Sequence, residues 1–353
     1  MKRTRAHDNS SSAAADLRAL AEIVERFEGK RVVVLGDFVA DSFQYGDITR
    51  VSREAPVLIL RHRETRILPG GAANATSNLV ALGARVAPIT AVGDDSAGDW
   101  LLREFRESNV DVSGILRIKK TITPTKTRFL AGWTHTVGQQ VLRVDYEPHF
   151  RLTGAFRQKI EELLLAKLKK ADALAISDYG FGVATPETVR TALNRQKKTI
   201  PVTLDSRYQL LAYQRAGATA ATPNEAEIEA LHNVSIGRDI SRLEQSGREV
   251  LKQLKLRSLV VTRGKDGMAV FEPGNETVHI PVHGSDQAVD VTGAGDTVLA
   301  AYSLGLASGA TALEAAHIAN IAGGLVVMKR GTATVSRGEL LDAIRKAALE
   351  GAP

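Results

Sequence analysis

The sequence predicts an α/β protein with a doubly wound, mostly parallel sheet, helices on both faces and a small inserted β-strand lid. Short β-branched runs alternate with amphipathic helical patterns, which is typical of parallel sheets. Two stretches, at about 43–68 and 115–145, break this alternation and have no helical period, so we expect inserted antiparallel strands there. The 353 residues, 44% of them hydrophobic, suffice for a large core.

The predicted elements follow in order along the chain. Residues 1–15 are polar and rich in Ser and Ala, so we expect a disordered tail, followed by one domain over 16–350. A first helix is predicted at 16–28, and the capping-box spacing of Ser336 and Glu339 opens the last one. Buried strands are predicted between them, at 31–36, 86–92, 173–177, 200–204, 218–222 and 259–262.

Polar residues follow most of these strands. Asp37, Asp178, Asp205 and Asn224 all come directly after a strand or within a residue or two of its end. Because the carboxyl ends of parallel strands meet at one edge of an open sheet, we expect a polar ligand and a metal there.

Composition excludes several classes of site. The absence of cysteine rules out disulfides and thiolate metal sites, and the eight histidines show no metal-binding spacing, so a metal would have oxygen ligands. The net charge of +6 fits an anionic small substrate, and no nucleic-acid-binding motif accompanies it. No apolar leader or membrane-length stretch occurs. We therefore expect a cytoplasmic protein with neither nucleic acid nor membrane as partner.

The most informative segment is the octet at residues 290–297. Gly293, Ala294 and Gly295 precede Asp296 where an extended segment gives way to an apolar helix. Free backbone N–H groups and the positive end of the helix dipole would lie beside one carboxylate. A glycine turn with a capping Asp is the simpler reading of such a pattern. Asp290 and Thr292 make the octet longer than a cap requires, which favours a phosphoryl-transfer site.

The octet resembles the Asp-Thr-Gly-Ala-Gly-Asp signature of the ribokinase/PfkB family of sugar kinases, with Val291 inserted. Residues 69–74, which include Gly70, Gly71 and Asn74, are similar to the family's sugar-binding turn. The resemblance implies a ribokinase-like fold and transfer of a phosphoryl group from ATP to a sugar hydroxyl. Asp296 would be the base, although the helix dipole should hold its pKa low, and Gly293, Ala294 and Gly295 would form the anion hole.

Further residues are assigned by this resemblance. Asp37 and Asp41 would accept hydrogen bonds from sugar hydroxyls; a cap and a solvated acid are the alternative. Asn224 and Glu227 resemble the family's Asn-x-x-Glu element and would act on Mg²⁺ through water, unless Asn224 is only a helix cap; Glu225 could share the metal. Adenine would lie near Thr262, Gly264 and Asn320. The implied cofactors are ATP and Mg²⁺, with a monovalent cation as a further expectation.

A narrower resemblance, to the D-glycero-β-D-manno-heptose-7-phosphate kinases, runs through residues 52–57, 125–129, 139–145, 177–180 and 331–336. These kinases phosphorylate the anomeric hydroxyl for ADP-heptose synthesis. Lys126, Arg128 and Arg143 would hold the phosphate of the sugar, or keep a strand edge soluble. Asp178 would also bind substrate. Phe181 departs from the pattern because these kinases usually have Lys there.

The resemblance also implies partners. The inserted strands of such kinases commonly build a homodimer, and a separate adenylyltransferase would follow in the pathway, because little sequence remains after the last helix. Two alternatives stay open. The catalytic octet does not distinguish this substrate from ribose or fructose, and a non-catalytic sugar-phosphate sensor could keep the same fold, although an intact Asp296 disfavours it.

Overall fold

The computed structural model describes residues 17–132, 139–148, 154–284 and 287–350. The expected tail at 1–15 lies outside these ranges. The helices are α1 at 17–25, α2 at Ala72–Ala81, α3 at Ser96–Glu107, α4 at Gly154–Leu168, α5 at Pro186–Arg195, α6 at Glu225–His232, α7 at Ile240–Leu254, α8 at Ala294–Ala307, α9 at Ala312–Val326 and α10 at Arg337–Glu350. Within the described ranges, no helix is long and apolar enough to span a bilayer.

The strands are β1 at Arg31–Gly36, β2 at Phe38–Val51, β3 at Leu58–Gly71, β4 at Arg85–Gly93, β5 at Ile115–Ile118, β6 at Thr125–Gly132, β7 at Gln139–Tyr146, β8 at Ala173–Asp178, β9 at Val202–Ser206, β10 at Ala220–Ala221, β11 at Ser258–Thr262, β12 at Met268–Phe271 and β13 at Val278–Ile280. They form two sheets, of nine and four strands.

The nine-stranded sheet runs in the order β13-β12-β11-β10-β9-β8-β1-β4-β5. Its strands are parallel from β5 to β11, and β12 and β13 are antiparallel. Val32 and Val34 of β1 pack towards α1, α2, α3, α8, α9 and α10, whereas Val33 and Leu35 pack towards α4, α5, α6 and α7. Because successive side chains alternate between faces, a continuous apolar strand buries both. The predicted doubly wound fold is confirmed.

The four-stranded lid has the order β3-β2-β6-β7. The outer pairs are antiparallel as expected, but the central strands β2 and β6 are parallel. Residues 115–118 belong to β5 of the large sheet instead of the lid, because they follow α3 after a single turn and complete a crossover beside β4. The first lid hairpin extends to Gly71, so the glycine pair ends β3 and leads directly into α2.

Candidate active site

Asp296 lies in the first turn of α8, after Gly293, which caps the helix in the left-handed region with φ +80°. Its side chain is almost completely buried, with 3% exposure. Asn74 Nδ2 donates to its Oδ2 at 2.9 Å, and the hydroxyl of Tyr179 donates to its Oδ1 at 3.2 Å. The sequence motifs predict no role for Tyr179. Residues from α2, the loop after β8 and α8 thus meet at one carboxylate.

Burial raises the pKa of Asp296 to about 7, although the hydrogen bonds from Asn74 and Tyr179 lower it. The expectation that the helix dipole holds this pKa low is therefore wrong. The sequence predicts the helix dipole beside Asp296, but the burial of this carboxyl group depends on elements distant along the chain. The effect of burial on the pKa outweighs that of the dipole. A carboxyl group with a pKa near neutrality is a suitable general base.

Asn74 connects Asp296 to a buried chain of hydrogen-bonded side chains. Its Nδ2 also points at the carbonyl oxygen of Gly293, at 3.4 Å, and its Oδ1 accepts from Asn78 Nδ2 at 3.1 Å. The Oδ1 of Asn78 in turn accepts from the hydroxyl of Thr297 at 3.0 Å. Asn74, which we expected to face a sugar hydroxyl, thus has both ends of its amide engaged within the protein. The sequence does contain a signal for the contact between Asn74 and Asn78, because two amides four residues apart lie on the same face of a helix.

Three glycines shape this centre, each for a different steric reason. Gly71 has φ +57°, and a Cβ on it would press on the carbonyl of Asp37. A Cβ on Gly70 would collide with the carboxylate of Asp41, and one on Gly293 with the amide of Asn74. At these three positions the backbone therefore approaches polar groups more closely than any other residue would allow.

The lid contributes charged groups from one face. Asp41 and Arg128 form an ion pair at 2.5 Å, with side-chain exposures of 6% and 13%. Burial raises the pKa of Asp41, and the adjacent guanidinium opposes that rise. Arg143 pairs with Asp145 at 2.8 Å. Of the three cations predicted to hold phosphate, only Lys126 forms no ion pair within the described residues. Its Nζ lies over the ring of Tyr179, 4.8 Å from the centroid, and burial lowers its pKa.

Asp37 shapes the loop that follows β8. Its carboxylate accepts from the backbone N–H groups of Tyr179, Phe181 and Val183 at 3.0 to 3.1 Å. Burial and the nearby Asp178 raise the pKa of Asp37 to about 7, although these three donors oppose the rise. Most of the hydrogen-bonding capacity of this carboxylate, which we expected to face a sugar, is thus used within the protein.

Asp178 is similarly engaged with neighbouring loops. Its Oδ2 accepts from Ser206, Gln209 and Tyr213 at 2.8 to 3.1 Å, and its Oδ1 accepts from the N–H of Gly180 at 2.9 Å. The side chain is buried. It joins the loop after β8 to the end of β9 and to the segment that follows, so these contacts are structural.

A cleft of about 470 Å³ opens beside Asp296. It is lined by residues from the ends of β8, β9, β10 and β11 and from α8, among them Asp205, Thr222, Asn224, Glu227, Thr262, Gly293, Gly295 and Asp296. Gly264 and Asn320, both expected near adenine, are not part of this lining. Asn320 instead donates to the carbonyl of Pro281 at 2.8 Å.

The expected metal element has the geometry of a helix cap. Asn224 Oδ1 accepts from the N–H of Glu227 at 2.9 Å, and Glu227 Oε2 accepts from the N–H of Asn224 at 3.0 Å. Both residues of this capping box also line the cleft. Glu225 forms an ion pair with Arg263 at 2.6 Å, so its carboxylate is already engaged within the protein.

A second cavity, of about 780 Å³, lies on the other side of Tyr179. Its lining includes more cations than acids: Lys126, Arg143, Arg157, Arg190 and Arg207 against Asp145, Glu147 and Glu187. Phe181 also lines it. Because Tyr179, Arg207 and Tyr208 line both cavities, they form the wall between them.

The pfkB family carbohydrate kinase profile matches residues 30–337. The protein "Bifunctional protein HldE" of Geobacter sulfurreducens is 38% identical over 313 residues, covering 88% of this chain and 62% of that protein. Its namesake in Geobacter metallireducens is 39% identical over 311 residues, again covering 88% and 62%. The chain thus spans less than two thirds of these relatives.

Solved structures agree on the fold. Phosphofructokinase-2 from Escherichia coli in complex with potassium superposes with a TM-score of 0.74 at 21% identity, covering 92% of this chain and 99% of that one. Arabidopsis thaliana ribokinase complexed with ribose and ATP gives 0.69 at 18% identity, covering 90% and 99%. The resemblance of the two glycine-rich segments to the ribokinase/PfkB family is confirmed, and the chain belongs to the pfkB family of carbohydrate kinases.

Proposed function

We propose that this chain uses ATP to phosphorylate the anomeric hydroxyl of D-glycero-β-D-manno-heptose 7-phosphate, giving the 1,7-bisphosphate. The observation that carries the proposal is Asp296, a buried carboxyl group with a pKa near neutrality at the start of α8. A cleft with accessible glycine backbone lies on one side of it, and the cationic face of the lid lies on the other.

The proposed reaction needs one base and a set of donors. The sugar oxygen bonds to the γ-phosphorus of ATP, the bond from that phosphorus to the bridging oxygen breaks, and ADP leaves. Asp296 accepts the hydroxyl proton as the bond forms. In the first turn of α8, the N–H groups of Gly295 and Asp296 have no intrahelical partner and would stabilise charge on the transferring group. The N–H of Ala294 is engaged with the carbonyl of Val291 at 3.3 Å, so its share in the anion hole is smaller.

The residues of the 470 Å³ cleft fit ATP and Mg²⁺. Thr222 Oγ1 is buried without a hydrogen-bond partner among the described atoms, and a Cβ on Gly295 would meet nothing within 4 Å. Burial and the carboxylates of Glu227 and Asp296 raise the pKa of Asp205. A cation held near Asp205 and Glu227 would relieve this repulsion. When bound, Mg²⁺ would neutralise charge on the β- and γ-phosphates.

A phosphorylated acceptor fits the 780 Å³ cavity. Lys126 has no ion pair within the described residues, and its lowered pKa has burial as its main cause and Arg207 as the next. Two cations that repel each other at a cavity wall would be stabilised by a dianion. Arg190 and Arg207 supply positive charge on the side where Phe181 replaces the usual Lys.

The HldE relatives are named bifunctional, and this chain matches about 62% of their length. A kinase part acting before a separate adenylyltransferase accords with that match. A monovalent cation also belongs to the proposal, since the E. coli phosphofructokinase-2 structure was solved with potassium.

A panel of acceptors with ATP and Mg²⁺ tests the substrate. We expect turnover of heptose 7-phosphate and little of heptose, ribose or fructose. Turnover of ribose or fructose without heptose 7-phosphate would overturn the assignment. Lys126→Met should raise KM for the phosphorylated sugar about 10-fold or more, the effect of one charge-assisted hydrogen bond. Lys119→Met, an exposed lysine outside both cavities, is the matched control.

Asp296→Asn tests the reaction itself. It should lower kcat by about 10²- to 10⁴-fold, the usual contribution of general base catalysis. Circular dichroism and ATP binding should stay close to those of the unaltered protein. Unchanged phosphorylation by this variant would rule out Asp296 as the base, and sugar-phosphate binding without phosphoryl transfer in the unaltered protein would favour the sensor alternative.

A further inference from the structure

Tyr179 stands between the proposed base and the lid. Its backbone N–H is held by Asp37, its ring fits against Gly71, where a Cβ would come within 3.3 Å, and its hydroxyl reaches Asp296 Oδ1. Lys126 of β6 covers the ring from the lid side. Separate elements therefore hold the backbone, the ring and the hydroxyl of Tyr179 in place.

The hydroxyl of Tyr179 acts as a donor in this contact. Burial, with the carboxylates of Asp296 and Asp205, raises the pKa of Tyr179 well above its usual value, so the phenol keeps its proton. The two oxygens of Asp296 then each receive one hydrogen bond, from Asn74 and from Tyr179. Two donors on opposite oxygens prevent rotation of the carboxylate, while a second lone pair on each oxygen stays available to a substrate hydroxyl.

We propose that Tyr179 is a positioning residue that orients the carboxylate of Asp296 through its hydroxyl, while its ring supports Lys126 of the lid. The inference rests on the proposed function, because it assigns Tyr179 to the same reaction. It connects the group that takes the proton with the lid strand that covers the acceptor sugar.

The test is the pH profile of kcat/KM for Tyr179→Phe. The other titratable or charged groups that act on Asp296 come from three different strands: Asp41 on β2, Lys126 on β6 and Asp205 on β9. All three stay in place in this variant. Loss of the hydroxyl should move the acidic limb about one pH unit upwards and lower the plateau of kcat about 10-fold, as expected for one hydrogen bond to a charged group.

Tyr302→Phe is the matched control, because it removes a buried hydroxyl from the same helix as Asp296. That hydroxyl contacts Ser258 at 2.8 Å instead of the site. The control should leave the acidic limb in place even if it lowers stability. An acidic limb of Tyr179→Phe that coincides with that of the unaltered protein would overturn the inference.

Tyr179→Leu separates the ring from the hydroxyl and serves as the second variant. It should shift the limb as Tyr179→Phe does and, in addition, raise KM for the sugar phosphate several-fold, because Lys126 loses the ring beneath it. Equal KM values for the two variants would exclude the role of the ring. If Asp296→Asn is inactive while Tyr179→Phe behaves normally, only this inference fails; an active Asp296→Asn contradicts the proposed function itself.

Discussion

The Nδ2 of Asn74 lies 2.9 Å from the Oδ2 of Asp296, although 222 positions separate the two residues. The hydrogen bond joins α2, which follows the glycine pair of the lid hairpin, to α8, which carries the proposed anion hole. The two glycine-rich signatures therefore form a single hydrogen-bonded centre, whereas the sequence pattern suggests one signature for each substrate.

Asn74→Ala should lower kcat by about 10-fold or more and move the acidic limb of the pH profile upwards, because the amide hydrogen bond lowers the pKa of Asp296. Steady-state kinetics between pH 5 and 9 would show both effects. Ser77→Ala is the control, because it alters a half-buried residue of the same helix whose hydroxyl donates to the carbonyl of Ala73 instead of to the site. A change confined to the KM of the sugar would instead support direct binding of the sugar by Asn74.

The unaltered enzyme should lose activity as the pH falls below about 7. Asp296 must be ionised to accept a proton, and its pKa is raised to about 7 by burial. The value of kcat/KM should therefore follow the ionised fraction of this group and reach a plateau above neutrality. A profile that stays flat down to pH 5 would show that the pKa of the base is close to that of an ordinary carboxyl group.

Gly295→Ala should fold normally and yet lose activity. A Cβ at this position meets no protein atom within 4 Å, and alanine in a helix adds about 0.5–1 kcal/mol to the free energy of unfolding. The new methyl group would lie at the cleft where the phosphates are expected, so KM for ATP should rise. Thermal unfolding and ATP titration measure the two effects separately.

Gly293→Ala is the contrasting variant, since it should lose stability as well. Its φ of +80° and the collision with Asn74 both oppose a side chain. If Gly295→Ala kept full ATP affinity, the proposed place of the phosphates would be wrong.

Asp37→Asn should lower the free energy of unfolding by about 2–4 kcal/mol. Its carboxylate accepts hydrogen bonds from three backbone N–H groups. An amide has a single acceptor oxygen, so the substitution would leave buried N–H donors unpaired. Urea denaturation would measure the loss, with the exposed Asp342→Asn of α10 as control. Equal stability of the two variants would imply that the loop keeps its path without this carboxylate.

The lid is the proposed surface of a homodimer. Exposed apolar side chains lie on its edge strand β7, at Val141, Leu142 and Tyr146, with exposures of 46% to 55%. Leu142→Lys should therefore shift the protein towards monomers in sedimentation experiments, because a charge would be buried at the interface. Val278→Lys, on the far edge of the large sheet, should have no effect. A monomeric unaltered protein would contradict the proposal directly.

Much of this architecture could be predicted from local patterns. Alternating apolar runs and helical periods predict the parallel strands, and the segment around Asp296 predicts where the candidate site lies. The roles of Asp37 and Asp178 could not be predicted in this way. Their carboxylates accept hydrogen bonds from backbone or side-chain groups of other loops, and nothing in the neighbouring sequence of an acid tells which donors will reach it. The raised pKa of Asp296 could not be predicted for a similar reason, because the burial of this carboxyl group depends on the whole fold.

The hydrogen bonds that Asp37 accepts from the loop at 179–183 all come from main-chain N–H groups, so they do not depend on which side chain stands at position 181. A substitution at Phe181 would then alter the lining of the basic cavity while the backbone keeps its path. We therefore expect that single substitutions at position 181 can change the acceptor preference proposed for this protein while the positions of Tyr179 and Asp296 stay the same.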